Sequence, residues 1–200
     1  MDTTTPLLAW VDLETVGLDA HHDPILEVGV IVTAGHTPFT ELAEAEFVIR
    51  PEGNDWTHRM NPKVLEMHTG NGLLANVFAS GVPITEVEQA LIGMLDTVGS
   101  KHDFVLAGSG VAHFDRRFID AQMPALSKWL RYYTVDVGVL RRSLAAIGLG
   151  AVVDEAAEVG KLGGRKEHRA FGDIESHLAE MRFYADRLAS VAVPSLSFQG

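Results

Sequence analysis

The chain has 200 residues and a mass of 21.7 kDa, with 46% apolar and 22% charged residues, enough to bury a core, and this composition excludes collagen-like, coiled-coil and disordered architectures. Lys and Arg number 16 against 27 Asp and Glu, and the resulting net charge of −11 speaks against a duplex-DNA reader, whose affinity comes from basic side chains on phosphates. The acidity is one-sided, with 3 basic and 15 acidic residues up to position 100 and 13 against 12 beyond it. The absence of cysteine excludes disulfides, thiolate metal sites and thiol nucleophiles, so any metal must sit on oxygen or imidazole. The longest stretch without Asp, Glu, Lys or Arg, residues 67–85, contains His68, Gly70, Gly72, Gly81 and Pro83 and is no membrane span. Residues 1–6 show no basic segment leading into an apolar run, so no signal peptide is expected and a cytoplasmic location is.

In chain order, residues 7–13 form a dense apolar run, residues 25–33 are rich in Val and Ile, and residues 44–50 close a third run before Pro51. Short turns join them, which predicts an antiparallel meander. The period then changes: Ile84, Val87, Leu91 and Met94/Leu95 share one face of a helix ending near Gly99. A strand is predicted at 104–107, a helix carrying Phe114, Phe118 and Ile119, a second helix at 124–130, a strand at 134–137 and a helix at 139–147. The last helix has the clearest stripe, with Ala170, Ile174, Leu178, Met181, Ala185 and Leu188 on one face. The predicted fold class is α/β. Right-handed crossovers set the two later strands parallel to the first, giving a mixed five-stranded sheet with helices on its faces. One domain over residues 1–193 and a C-terminal tail over 194–200 are expected.

Asp12 and Glu14 stand two apart at the end of the first strand, so both point to one face. Adjacent carboxylates repel, and a divalent cation relieves that repulsion; oxygen ligands select Mg²⁺ or Mn²⁺. By themselves the two acids read equally well as a solvated acidic turn. Asp115 opens a helix directly after the 104–107 strand, where it can cap the helix or meet a ligand at the carboxyl end of a parallel strand. Asp173 lies five residues beyond His168, a rotation of about 140° on a helix, so the two share a site only if His168 precedes the helix. A loop over 162–166 is expected before it.

Trp10-Val11-Asp12-Leu13-Glu14-Thr15, Phe114-Asp115-Arg116-Arg117-Phe118 and His168-Arg169-Ala170-Phe171-Gly172-Asp173 resemble, in that order, the three motifs of the DEDDh 3′-to-5′ exonucleases. Within that superfamily the chain is most similar to the oligoribonucleases, with further similar stretches at Met60-Asn61-Pro62, Met67-His68-Thr69-Gly70, Met123-Pro124-Ala125-Leu126 and Asp136-Val137. The resemblance spans about residues 8–188 and implies an RNase H-like fold. It implies hydrolysis of short single-stranded RNA to nucleoside 5′-monophosphates, assisted by two divalent cations about 3.5 to 4 Å apart. Asp12 would bridge the cations, Glu14 and Asp173 would hold the water-activating one, Asp115 would ligate through water, and His168 would be the general base. Among substrate contacts, Leu18 would wedge between terminal bases and His68 would touch the substrate; Arg169, Arg116, Arg117, Arg165 and Lys166, read from their place beside the motifs, either hold phosphates or balance nearby acids on solvated faces. Tyr132 matches a tyrosine that reaches into a neighbouring subunit's site, which implies a homodimer.

Some positions depart from that pattern. Ala107-Gly108-Ser109-Gly110-Val111 lacks the family's substrate-holding Asn, Lys63 stands where an aromatic or apolar side chain stacks on a base, and Tyr133, Gly138 and Val139 replace the groups that cap a 5′ phosphate. None of these bears on the acids, but they loosen the expected restriction to dinucleotides. Two alternatives therefore stand beside the leading expectation. One is a DEDDh exonuclease of the ribonuclease T or proofreading type on longer RNA or DNA; the other is a non-catalytic nucleic-acid-binding module.

Overall fold

The computed structural model describes residues 5–53, 55–161 and 168–190. In chain order these form β1 (Leu7–Thr15), β2 (Ile25–Thr33), β3 (Glu41–Val48), a 3₁₀ turn (Asp55–Arg59), α1 (Pro62–Gly70), α2 (Leu73–Ser80), α3 (Ile84–Val98) and β4 (Phe104–Gly108). Then come α4 (Asp115–Gln122), α5 (Pro124–Ser127), β5 (Leu130–Asp136), α6 (Val137–Ala146), α7 (Gly150–Gly160) and α8 (Ala170–Ser190). The sheet order is β3-β2-β1-β4-β5, with β1–β2 and β2–β3 antiparallel and β1–β4 and β4–β5 parallel. This is the expected mixed five-stranded α/β sheet. Among the described residues no helix is long and apolar enough to cross a membrane.

β1 is the middle strand, and its alternation divides the core. Ala9, Val11 and Leu13 pack with Leu91, Leu95, Phe118 and Ile119 on one face, whereas Leu8 and Trp10 pack with Ile174, Leu178 and Tyr184 of α8 on the other. Asp12 and Glu14 continue the α8 row. Trp10, fully buried, uses its indole N–H on Thr33 Oγ1 at 3.0 Å, so its polar atom is satisfied inside the core. Trp56, Met60, Leu73 and Val77 form a third cluster against Val16 and Leu26, seating α1 and α2 at the end of β1 where the acids emerge.

Several boundaries differ from the expected ones. α1, α2 and α7 are additional helices. The helix expected over 124–130 stops at Ser127, and the chain re-enters the sheet at Leu130, so β5 runs over Leu130–Asp136 rather than 134–137. The Leu130-Arg131-Tyr132-Tyr133 segment is an edge strand with its aromatic side chains outward, a pattern easily taken for a helix end.

Two glycines determine how closely the layers approach. Gly29 lies opposite Asp12, and a Cβ there would stand 3.0 Å from Ile174 Cδ1 and 3.1 Å from the Ala170 carbonyl carbon. The start of α8 thus rests directly on β2 beside Asp12. Gly108, with φ +152°, lets the loop after β4 turn against β1, where a Cβ would come 2.8 Å from the Val11 carbonyl oxygen. Replacing Gly29 with valine, a good strand former, should cost about 1–3 kcal/mol by overpacking and weaken Mn²⁺ binding by moving α8 off the sheet. Thermal denaturation and Mn²⁺ calorimetry check this; unchanged melting and unchanged affinity would refute the close-approach account.

Candidate active site

The site forms where β1, the β4–α4 connection and the start of α8 converge. Strand alternation presents Asp12 and Glu14 to one face, and Asp173, in the first turn of α8, comes down on them. One carboxylate oxygen from each of Asp12, Glu14 and Asp173 lies within 4.8 Å of the other two. Asp115, the first residue of α4, is 3% exposed and stands outside that triad, with an Oδ1 that is buried and lacks any hydrogen-bond partner.

The electrostatics are one-sided. Burial, followed by repulsion from Asp115, Asp173 and Glu14, raises the Asp12 carboxyl well above the usual range. Burial, together with Asp173 and Glu27, pushes Glu14 up to about 8, against a modest lowering by Arg169. Burial alone is the main cause that lifts Asp115 to about 7, while backbone amides of Asp115 and Leu13 pull it the other way. These groups fit a divalent cation: every donor is oxygen, one buried carboxylate oxygen is unpartnered, and the ionised forms want a positive charge.

His168 sits just before α8, as a shared site requires. It is exposed, adopts a left-handed φ of +58°, and its carbonyl accepts a hydrogen bond from Asn71 Nδ2 at 2.5 Å. The loop expected over 162–166, with Arg165 and Lys166, lies outside the described residues, as does the tail over 194–200.

Other expected contacts have different surroundings. Arg169 is engaged internally: its Nε donates to both carboxylate oxygens of Glu27 at 2.9 Å, and Nη2 also donates to Oε1. His68 is fully buried behind Glu14. Its Nε2 donates to the Thr15 carbonyl at 3.1 Å, which leaves Nδ1 facing Glu14 Oε2 at 3.9 Å, and burial lowers the pKa of the ring. Arg116 donates to Asp120 Oδ1 and to the Arg131 carbonyl, both at 2.8 Å, while Arg117 is exposed. Leu18, 77% exposed, borders a groove of about 600 Å³ that runs past Glu14 to Lys63, Val64, Met67 and Phe114. Tyr132 is 90% exposed on edge strand β5, two strands away from β1, so the fold of one chain does not bring it to the acids.

Glu27 and Asn71 were not anticipated. Glu27 is completely buried and pairs in register with Glu14. A signal for it exists in the sequence: it is the sole charge in the otherwise apolar Ile25–Thr33 strand.

Comparison with known proteins assigns the chain to a family. The exonuclease family model (RNase_T) matches residues 9–181, and the chain belongs to that family. It is thereby an enzyme of the 3′-to-5′ exonuclease class. It is 33% identical over 186 residues to an oligoribonuclease of Corynebacterium diphtheriae, covering 88% of this chain and 80% of that protein. It is 32% identical over 189 residues to a mitochondrial oligoribonuclease of Saccharomyces cerevisiae, covering 90% of this chain and 66% of that protein, just under two thirds of its length. Among solved structures, a zinc-bound complex of Escherichia coli exonuclease I with single-stranded DNA superposes with a TM-score of 0.68 at 14% identity. That match covers 92% of this chain and 41% of the other and shows a shared fold.

The raised carboxyl pKa values mean that the folded, metal-free protein binds more protons than the unfolded chain, so its stability falls as pH rises from the ordinary carboxylate range toward about 8. Melting temperature in EDTA should therefore drop between about pH 5 and pH 8, and Mn²⁺ should restore more of it at the higher pH. A flat metal-free profile with no gain from Mn²⁺ would contradict the uncompensated cluster.

Proposed function

We propose that this protein is a 3′-to-5′ exoribonuclease that releases nucleoside 5′-monophosphates from short oligoribonucleotides. The observation that carries the reading is the Asp12–Glu14–Asp173 triad, three buried or half-buried carboxylates gathered within 4.8 Å. The similarity to oligoribonucleases supports short RNA as the substrate class. A cytoplasmic location, a homodimer and one exonuclease domain over residues 1–193 belong to the same proposal.

Asp12, Glu14 and Asp173 would hold divalent cations, with Asp115 contributing its unpartnered oxygen, and we assign two ions, Mg²⁺ or Mn²⁺. Bound there, they supply charge relief at the phosphate and acidify the attacking water. His168, exposed just before α8, takes the proton of that water, a role to which an imidazole is suited. The water oxygen bonds to phosphorus as the bond from phosphorus to the 3′ oxygen breaks, and the leaving oxygen takes a proton from solvent. Leu18 separates the terminal bases over the groove, Lys63 contacts the base or phosphate that enters it, and Tyr132 of a second copy closes it. Arg117, in the first turn of α4, is an exposed cation available to phosphate.

One feature favours a wider length range than dinucleotides. Gly138 and Val139 open α6 in place of hydroxyl side chains, so their own side chains put no hydrogen bond on a 5′ phosphate.

A length series of 5′-labelled RNA and DNA with Mn²⁺ tests the proposal: RNA of two to about five residues should be degraded to monophosphates, since few phosphates need neutralising. Uncut dinucleotides accumulating from longer strands would favour the ribonuclease T or proofreading type, and no monophosphate with either metal would favour a non-catalytic module. Asp12→Ala and Asp173→Ala should abolish turnover, whereas Lys63→Ala should change affinity by at most the worth of one base contact, about 1–3 kcal/mol, with turnover kept. Equal losses from both kinds of substitution would show that the site is misplaced.

A further inference from the structure

We propose that Glu27, Arg169 and Asn71 form a clamp that fixes the backbone of His168 and thereby aims its imidazole, so that all three are positioning residues for turnover. The consequence for turnover rests on the reading of His168 as the base; the clamp itself rests on geometry. Glu27 is fully buried and receives four donors: three N–H···O contacts from Arg169 and the Ala170 backbone N–H at 3.1 Å. Those donors come from the two residues immediately C-terminal to His168. On the other side, the His168 carbonyl accepts from Asn71 Nδ2. Asn71 is itself oriented, since its Oδ1 accepts from the Leu73 backbone N–H at 3.0 Å at the joint between α1 and α2.

A positive φ at a residue with a Cβ costs on the order of 1 kcal/mol and persists only where the surroundings impose it. Here the surroundings are identifiable: Glu27 of β2 holds Arg169 and Ala170, and the α1–α2 joint holds the His168 carbonyl. The imidazole is left exposed and free to meet a substrate, while the peptide that carries it is tied to two separate elements.

The Glu27–Arg169 pair has a poor purely energetic justification. A buried ion pair contributes little net stability, and an apolar pair of similar volume would often serve as well. Glu27 also stands in register with Glu14 and adds to the repulsion there. What an apolar pair could not do is receive several donors in fixed directions, which the planar guanidinium fork and the Ala170 amide together satisfy. Directional anchoring of the start of α8 accounts for a buried charge in an otherwise apolar strand.

Three substitutions test this: Asn71→Ala, which removes the carbonyl contact, Arg169→Lys, which keeps the charge but loses the fork, and His168→Gln. Misplacement of a catalytic group costs on the order of tenfold to a hundredfold, so kcat should fall by that factor in Asn71→Ala and Arg169→Lys, while KM and Mn²⁺ affinity by calorimetry stay within about twofold. In the metal-free protein, amide hydrogen exchange at residues 168–171 should accelerate in both variants. Wild-type kcat with wild-type exchange in both would overturn the clamp. So would parallel loss of kcat and Mn²⁺ affinity in Asn71→Ala, which would mark a general disturbance of the metal ligands. Recovery of full turnover in Arg169→Lys would reduce that residue to a source of charge. Retained turnover in His168→Gln overturns the base assignment instead, and the exchange measurement still decides the clamp, so the two failures are separable.

Discussion

Negative charge is concentrated at the centre of the sheet, and the rest of the structure is arranged around that repulsion. Asp12, Glu14, Asp115 and Glu27 are buried or half-buried near one another, with Asp173 close above them. Burial makes each ionised form unfavourable, and each neighbour adds to the cost. A fold can hold such a cluster only on a rigid frame. Here the frame is a middle strand paired on both sides, a parallel neighbour whose loop returns Asp115, and a 21-residue helix pressed onto Gly29. The chain compensates one carboxylate itself, Glu27, through Arg169. Among the described residues no comparable partner is built for Asp12 or for the buried Asp115 oxygen, and this asymmetry is what a metal-binding centre requires.

The same frame separates chemistry from selection. The acids are anchored in strands and helix starts whose opposite faces are core, so their positions are set by packing. The side chains assigned to substrate choice, Leu18, Lys63 and Tyr132, are exposed on a turn, a helix start and an edge strand. Substitution there changes little buried area, so substrate preference can drift without disturbing the hydrolytic centre. Lys63, Gly138 and Val139 fit that division: none belongs to the carboxylate triad.

Much of this was legible in the sequence because strands and helices write their faces at fixed periods. The spacing of two between Asp12 and Glu14 put both acids on one side of β1, and the Ala170, Ile174, Leu178 stripe located α8 with Asp173 at its start. Other elements carried no such signature. α2 reads Leu-Leu-Ala-Asn-Val-Phe-Ala-Ser, apolar nearly all round and opened by a left-handed Gly72, and α7 is a short Ala/Val-rich segment opening and closing on glycine. The outward tyrosines of β5 hid a strand behind what looked like a helix end. Glu27 is odd by itself, but its partner lies 142 residues away, and only the packing of the start of α8 on β2 brings Arg169 to it. His68, expected to touch the substrate, likewise carries no local sign that α1 buries it behind Glu14.

Arg169 changes what the charge distribution means. A basic residue beside a catalytic motif suggests a phosphate contact, yet its guanidinium is committed to Glu27, and Arg116 is committed to Asp120 and the Arg131 carbonyl. Arg59, along the groove, is paired with Asp23 at 3.0 Å. Three cations near the site, Arg169, Arg116 and Arg59, are thus paired within the fold on a chain whose net charge is −11, while Arg117 and Lys63 stay exposed. Long strands have many phosphates to neutralise and gain least from a chain of this net charge. A short strand needs compensation at one or two phosphates only. Metal ions held by the carboxylate triad would concentrate positive charge at that point, so the acidity of this protein is coherent with nucleic-acid hydrolysis.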